Sequence, residues 1–106
     1  MIEIIYRRKE HSLTVSGHAG SDTYGKDLVC AGVSALVLAW QENLNQLQEN
    51  GCLQYCWQTV KPGLAQFSCT PKKSFQRVVL LMEDTLFSGF VALAKKYRKY
   101  IKFKVI

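Results

Sequence analysis

Two long stretches with helical apolar spacing, set among short runs with strand-like alternation, constrain the fold of this 106-residue chain more than any other feature. From about residue 27 to 48, Val29, Val33, Leu36, Val37, Trp40, Leu44 and Leu47 recur at steps of three and four, the mark of an amphipathic helix, and Asn50-Gly51 ends it. A second helix is predicted after Thr70-Pro71, with Ser74 as an alternative cap, running to about Tyr97. Its stripe comprises Phe75, Val78, Val79, Met82, Leu86, Phe90, Leu93 and Ala94. Gly89 lies inside it, at a cost of roughly 1 kcal/mol relative to Ala, and points to close packing, with a subunit contact as one candidate.

Residues 2 to 9 and 12 to 18 read as strands around Glu10-His11, and residues 52 to 60 and 64 to 70 as strands around Pro62-Gly63. Tyr100 to Ile106 alternates Ile101, Phe103 and Val105 against lysines, as a half-buried strand does. The order is therefore ββαββαβ. The simplest way to bury both stripes is an α+β fold, a five-stranded mixed sheet with two helices packed on one face. The length is that of one domain, taken as residues 1–106.

No run approaches the 18 or more apolar residues of a membrane span, and the N-terminus reads as strand rather than as a signal peptide. The expectation is a cytoplasmic protein without membrane contact. Fourteen Lys and Arg against eight Asp and Glu give a charge of +6, which favours acidic partners. Six of the cations, Lys95, Lys96, Arg98, Lys99, Lys102 and Lys104, fall in the last twelve residues, and Arg7, Arg8 and Lys9 form a second group. Solvated strand faces and a helix end where cations complement the dipole are the simpler account of both groups.

Of the four cysteines only Cys52 and Cys56 are close in sequence, and no second Cys or His pair stands at ligand spacing, so neither a metal nor a cofactor is expected. Cys56 and Cys69 can meet across a hairpin, but a reducing cytosol keeps them as thiols. Cys52, Cys56 and Cys69 read as small apolar fillers.

The chemistry-bearing feature is Gly17-His18-Ala19-Gly20, followed after a polar loop by Gly25-Lys26-Asp27-Leu28-Val29-Cys30-Ala31. It places His18 at the end of a strand and Cys30 in the first turns of the next helix. A thiol attacks a carbonyl as thiolate, and a free cysteine holds its proton to about pH 8.5, so chemistry near neutrality needs a base or a local field. His18 is placed to accept the proton and return it to a leaving amine, and N–H groups at the helix start favour an anion and an oxyanion. Asp27 suits the helix cap or first turn, and Ser34 shares the helical face of Cys30. Gly17, Gly20 and Gly25 allow tight turns and loop closure, or are turn glycines only. His11, in a predicted turn, carries no motif.

Gly-His-Ala, then Gly-x-Asp, a branched apolar pair, Cys-Ala and a Ser four residues beyond the Cys resemble the ribosomal-processing cysteine protease (Prp) family. The resemblance is anchored in residues 17 to 34, and chain length and element order fit it. It implies a small homodimeric cysteine peptidase that removes an N-terminal extension from large-subunit ribosomal protein twenty-seven at a site preceded by aromatic residues. Carried over by position, it implies His18 and Cys30 as the catalytic pair, with Gly17, Ala19, Gly25, Asp27 and Ser34 around the cleft. Leu28 and Gly32 stand where the family often has Ile and Ala, and Gly32 loosens the helix just after the cysteine. Two other readings compete. One is a non-catalytic ribosome- or RNA-binding module using Arg98, Lys102 and Lys104; the other is a thiol redox sensor on Cys30, for which no close resolving cysteine exists.

Overall fold

The computed structural model describes residues 1–17 and 24–106, with backbone alone at 24–27. The chain runs β1 (Ile2–Arg7), β2 (Ser12–Ser16), α1 (Tyr24–Glu49), β3 (Leu53–Lys61), β4 (Leu64–Pro71), α2 (Gln76–Lys96) and β5 (Ile101–Val105), which is the expected ββαββαβ order. The strands form one mixed sheet in the order β3-β4-β2-β1-β5. Every neighbouring pair is antiparallel except β1 and β5, which α2 brings side by side in parallel.

Alternation along the strands decides which face is covered. Ile2, Ile4 and Tyr6 of β1, Leu13 and Val15 of β2, and Ala65, Phe67 and Cys69 of β4 are buried. Against them pack Val29, Val33, Val37, Trp40 and Leu44 of α1 and Val79, Leu86, Phe87 and Phe90 of α2, forming one hydrophobic cluster. The intervening strand positions lie on the opposite face, which neither α1 nor α2 covers. Among the described residues no helix is long and apolar enough to cross a membrane.

The α1 stripe is buried as its spacing predicts, with Leu36 half-exposed at its edge. The α2 stripe is inward too, with Val79, Leu86 and Phe90 buried and Phe75, Met82, Leu93 and Ala94 packed against the core; of its residues Val78 alone is exposed, and Glu83 and Phe87 join the buried side. The two helices approach each other at their glycines. A Cβ on Gly89 would lie 3.0 Å from Leu36 Cδ2, and one on Gly32 3.3 Å from Leu93 Cδ2. Gly89 therefore marks close packing within the chain, and Gly32, which weakens the helix locally, admits Leu93 of the opposing helix.

Several boundaries differ from expectation for local reasons. The first strand stops at Arg7, and Arg8–Glu10 form a 3₁₀ turn closed by His11, whose φ of 49° is left-handed. Pro71 ends β4, Lys73–Phe75 form another 3₁₀ turn, and α2 begins only at Gln76. Ser74 is thus held inside the tight turn, where the Phe75 N–H donates to the Lys72 carbonyl at 2.8 Å, and no side chain caps α2. The second hairpin closes with two residues, Lys61 pairing with Leu64 around Pro62-Gly63, where Gly63 takes a φ of 79°. Pro followed by a positive-φ Gly is the pattern of a type II turn.

Candidate active site

Cys30 is a half-buried residue of α1 packed against the core cluster. It lines a cavity of about 360 Å³ together with Val33, Ser34, Val37 and Leu38 of its own helix. The far wall is the tip of the second hairpin, Val60 to Leu64, and the floor is Ile2, Val15 and Gly17. The sequence gives no hint of the hairpin's part in this wall, because only the β2–β4 register, with Ser16 opposite Leu64, brings that tip to the end of β2.

Gly17 fixes where the chain leaves β2. Its φ of 98° is one that residues with a side chain rarely adopt, and a Cβ there would collide with the Met1 carbonyl oxygen. Its N–H donates to the Gly63 carbonyl at 3.0 Å. The residue before His18 is therefore pinned at the edge of the cavity that Cys30 lines.

Of the residues singled out in the sequence, Gly17, Cys30 and Ser34 meet around this cavity. His18 and Ala19 lie outside the described residues, as does most of the predicted loop at 19 to 25. Gly25 and Asp27 are the second and fourth residues of α1, which begins three residues earlier than its apolar spacing predicts. Gly25 is thus helical rather than part of a loop, and Asp27 belongs to the first turn rather than the cap. Cys30 is the seventh helical residue. The unpaired N–H groups and the dipole field of a helix start are confined to the first turn, so Cys30 sits beyond both.

A different cysteine and histidine, Cys69 and His11, lie near each other, and no sequence pattern links them. At the opposite end of β2, His11 Nδ1, Cys69 Sγ and a Glu83 carboxylate oxygen lie within 4.8 Å of one another, the one such group among the described residues. Glu83 is 1% exposed. Its Oε2 accepts a 2.7 Å hydrogen bond from the Tyr6 hydroxyl, and its Oε1 lies 2.7 Å from His11 Nδ1. Tyr6 in turn stacks on Phe87, with ring centroids 3.6 Å apart.

Cys69 is a poor nucleophile in this setting. Burial, then the Glu83 carboxylate and Cys56, push its thiol up to about 12. It is 2% exposed and faces Cys56 directly across the hairpin, both as free thiols. With both Glu83 oxygens engaged, the cluster ties α2 to β1 and to the turn before β2. His11, without a role in the sequence reading, is one half of that tie. An acid at position 83, one residue past Met82 and three before Leu86 of the apolar stripe, is the sequence signal by which it could have been found.

The family described as cysteine protease Prp matches residues 1–102. The chain belongs to that family. Solved structures of low sequence identity share its fold. The Prp ribosomal processing protease of S. aureus with a covalently linked product peptide superposes with a TM-score of 0.73 at 18% identity, covering 100% of both chains. The same protease with a substrate peptide gives 0.68 at 18%, covering 99% of this chain and 97% of that one. SMU.848 of Streptococcus mutans gives 0.66 at 24%, covering 99% and 91%. No curated protein sequence matches the chain. Membership in a cysteine protease family directs attention to Cys30, whose thiol borders an open cavity, rather than to the enclosed Cys69.

Proposed function

We propose that this Prp family member is a cytoplasmic cysteine endopeptidase that removes the N-terminal extension of large-subunit ribosomal protein twenty-seven, acting as a homodimer. The observation that carries the reading is the convergence of Cys30, in the cavity wall, with Gly17, the pinned residue that precedes His18. The S. aureus relatives, ribosomal processing proteases with product and substrate peptides, support the substrate class.

In this reading His18 accepts the Cys30 proton, and the sulfur bonds to the scissile carbonyl carbon while the carbonyl electron pair moves to oxygen. Collapse of the tetrahedral intermediate restores the carbonyl, breaks the C–N bond and leaves an acyl thioester. The departing amine takes the proton from His18. Water then gives a proton to His18 and attacks the thioester carbon. Collapse breaks the C–S bond and releases the acyl half as a carboxylic acid, and the departing sulfur takes the proton from His18 to restore the thiol. Val33, Val37, Leu38 and Leu64 make the cavity mainly apolar, suited to the aromatic residues that the family resemblance places before the cut. Ser34, one turn beyond Cys30, supplies a polar contact at the rim.

The test is incubation of the extended ribosomal protein with this chain, followed by mass spectrometry of the products. One new N-terminus after an aromatic-rich segment is expected; an intact substrate in the presence of folded, reduced protein would remove the reading.

A further inference from the structure

The face of the sheet turned away from both helices carries a pattern that the peptidase reading does not use. Tyr55 and Trp57, two residues apart on β3, point to it with 52% and 44% of their surface exposed. At two residues per pleat repeat their rings stand about 7 Å apart along the strand. Register carries the row from Trp57 through Ser68 and Ser12 to Arg7. A parallel row runs from Thr59 through Gln66, Thr14 and Ile5 to Lys104, and Lys102 follows beside Glu3. Arg7, Lys102 and Lys104 are exposed, and Glu3 is the only acid along these rows.

We propose that this open face binds single-stranded RNA, with bases stacked on Tyr55 and Trp57 and phosphates held by Arg7, Lys102 and Lys104. The rings stand at one edge of the face and the cations on the two strands at the other, about 14–19 Å across the sheet, a span that a few nucleotides bridge. Stacking rings and a cationic strip are the two elements that sequence-tolerant single-strand binding requires. The Ser, Thr and Gln side chains between them offer donors and acceptors to the 2′-hydroxyl, which selects RNA over DNA. The same polarity disfavours burial against a second copy, because homodimer interfaces are apolar and poor in lysine. The peptidase cavity lies on the helix-covered side, so the two functions occupy different faces.

Fluorescence anisotropy of a short labelled oligouridine, titrated with the full chain over a range of salt, tests this. Three phosphate contacts predict a slope of log affinity against log salt of about −2, falling in magnitude by roughly 1.4 in the K102Q/K104Q double variant. Trp57→Ala is expected to weaken binding roughly tenfold, with Trp57→Phe restoring most of it. Oligodeoxythymidine and duplex RNA should bind several-fold more weakly. No binding at low salt, a slope unchanged in the lysine variant, or equal affinity for the DNA strand would overturn the proposal. So would loss of a dimer in Trp57→Ala by light scattering without any change in RNA affinity, which would assign the face to self-association.

Discussion

The backbone N–H of Gly17 donates to the carbonyl of Gly63 at 3.0 Å, joining the exit of β2 to the hairpin tip that walls the Cys30 cavity. In the proposed mechanism this bond, with the close approach of Met1 to Gly17, fixes the residue from which the chain enters His18.

Gly17→Ala should therefore harm both stability and activity. A side chain at positive φ costs about 1–2 kcal/mol, and the new Cβ meets the Met1 carbonyl oxygen, so a loss of about 2 kcal/mol or more is expected in urea unfolding. Peptide cleavage should fall by more than the residual unfolding explains, because the chain entering His18 is displaced. Unchanged cleavage would show that Gly17 does not position the site.

The buried Glu83 gives a second prediction. Its removal leaves the Tyr6 hydroxyl and His11 without their partner beneath α2. Glu83→Ala should cost about 3 kcal/mol, and Glu83→Gln about half that, since the amide retains the shape and one acceptor. Equal stability of wild type and Glu83→Ala would mean that the tie contributes nothing.

Alkaline stability follows from Cys69 and Tyr6. The thiol rises from 9.0 to about 12 on folding, so the fold favours its protonated form. That contribution is fully present below pH 9, where the unfolded thiol also keeps its proton, and is lost as pH rises toward about 12. Tyr6 is raised too, by burial and then by its bond to Glu83, and deepens the loss above about pH 10. Each group contributes a slope of about 1.4 kcal/mol per pH unit inside its window. Urea midpoints measured through this range should decline less steeply in Cys69→Ala; parallel slopes would contradict the assignment.

The two helix glycines should respond differently to alanine. At Gly32 the new methyl meets Leu93 at 3.3 Å, and a small shift of that side chain leaves most of the roughly 1 kcal/mol gain in helix propensity. At Gly89 two Leu36 methyls lie at 3.0 and 3.1 Å, so the gain is cancelled, and Gly89→Val should lose about 1–3 kcal/mol. Thermal unfolding checks the ranking, and a Gly89→Val variant as stable as Gly32→Ala would contradict the packing described.

The elements were legible because their periods are unambiguous: Val29 to Leu47 can be buried only as a helix, and Ile101 to Val105 only as a half-covered strand. The α2 stripe holds at every expected residue but Val78, and it omits Glu83, because a buried acid looks polar in sequence; its inward position depends on Tyr6 and His11, which arrive from β1 and the following turn. The start of α1 falls earlier than its apolar spacing predicts because Tyr24 to Asp27 carry none of that spacing, which sets Cys30 in the second turn, past the unpaired N–H groups of the helix start. Cys30, Ser34 and Gly17 stand in a local motif and line one cavity, whereas the hairpin tip opposite them depends on strand register between distant segments.

Mass spectrometry of a peptide spanning the ribosomal-protein extension, incubated with wild type, Cys30→Ala and His18→Ala, tests the central claim most directly. The account predicts a single cut by wild type, none by Cys30→Ala and at least a hundredfold slower cleavage by His18→Ala, as roughly expected for loss of a general base. Cleavage by Cys30→Ala at the wild-type rate would contradict it.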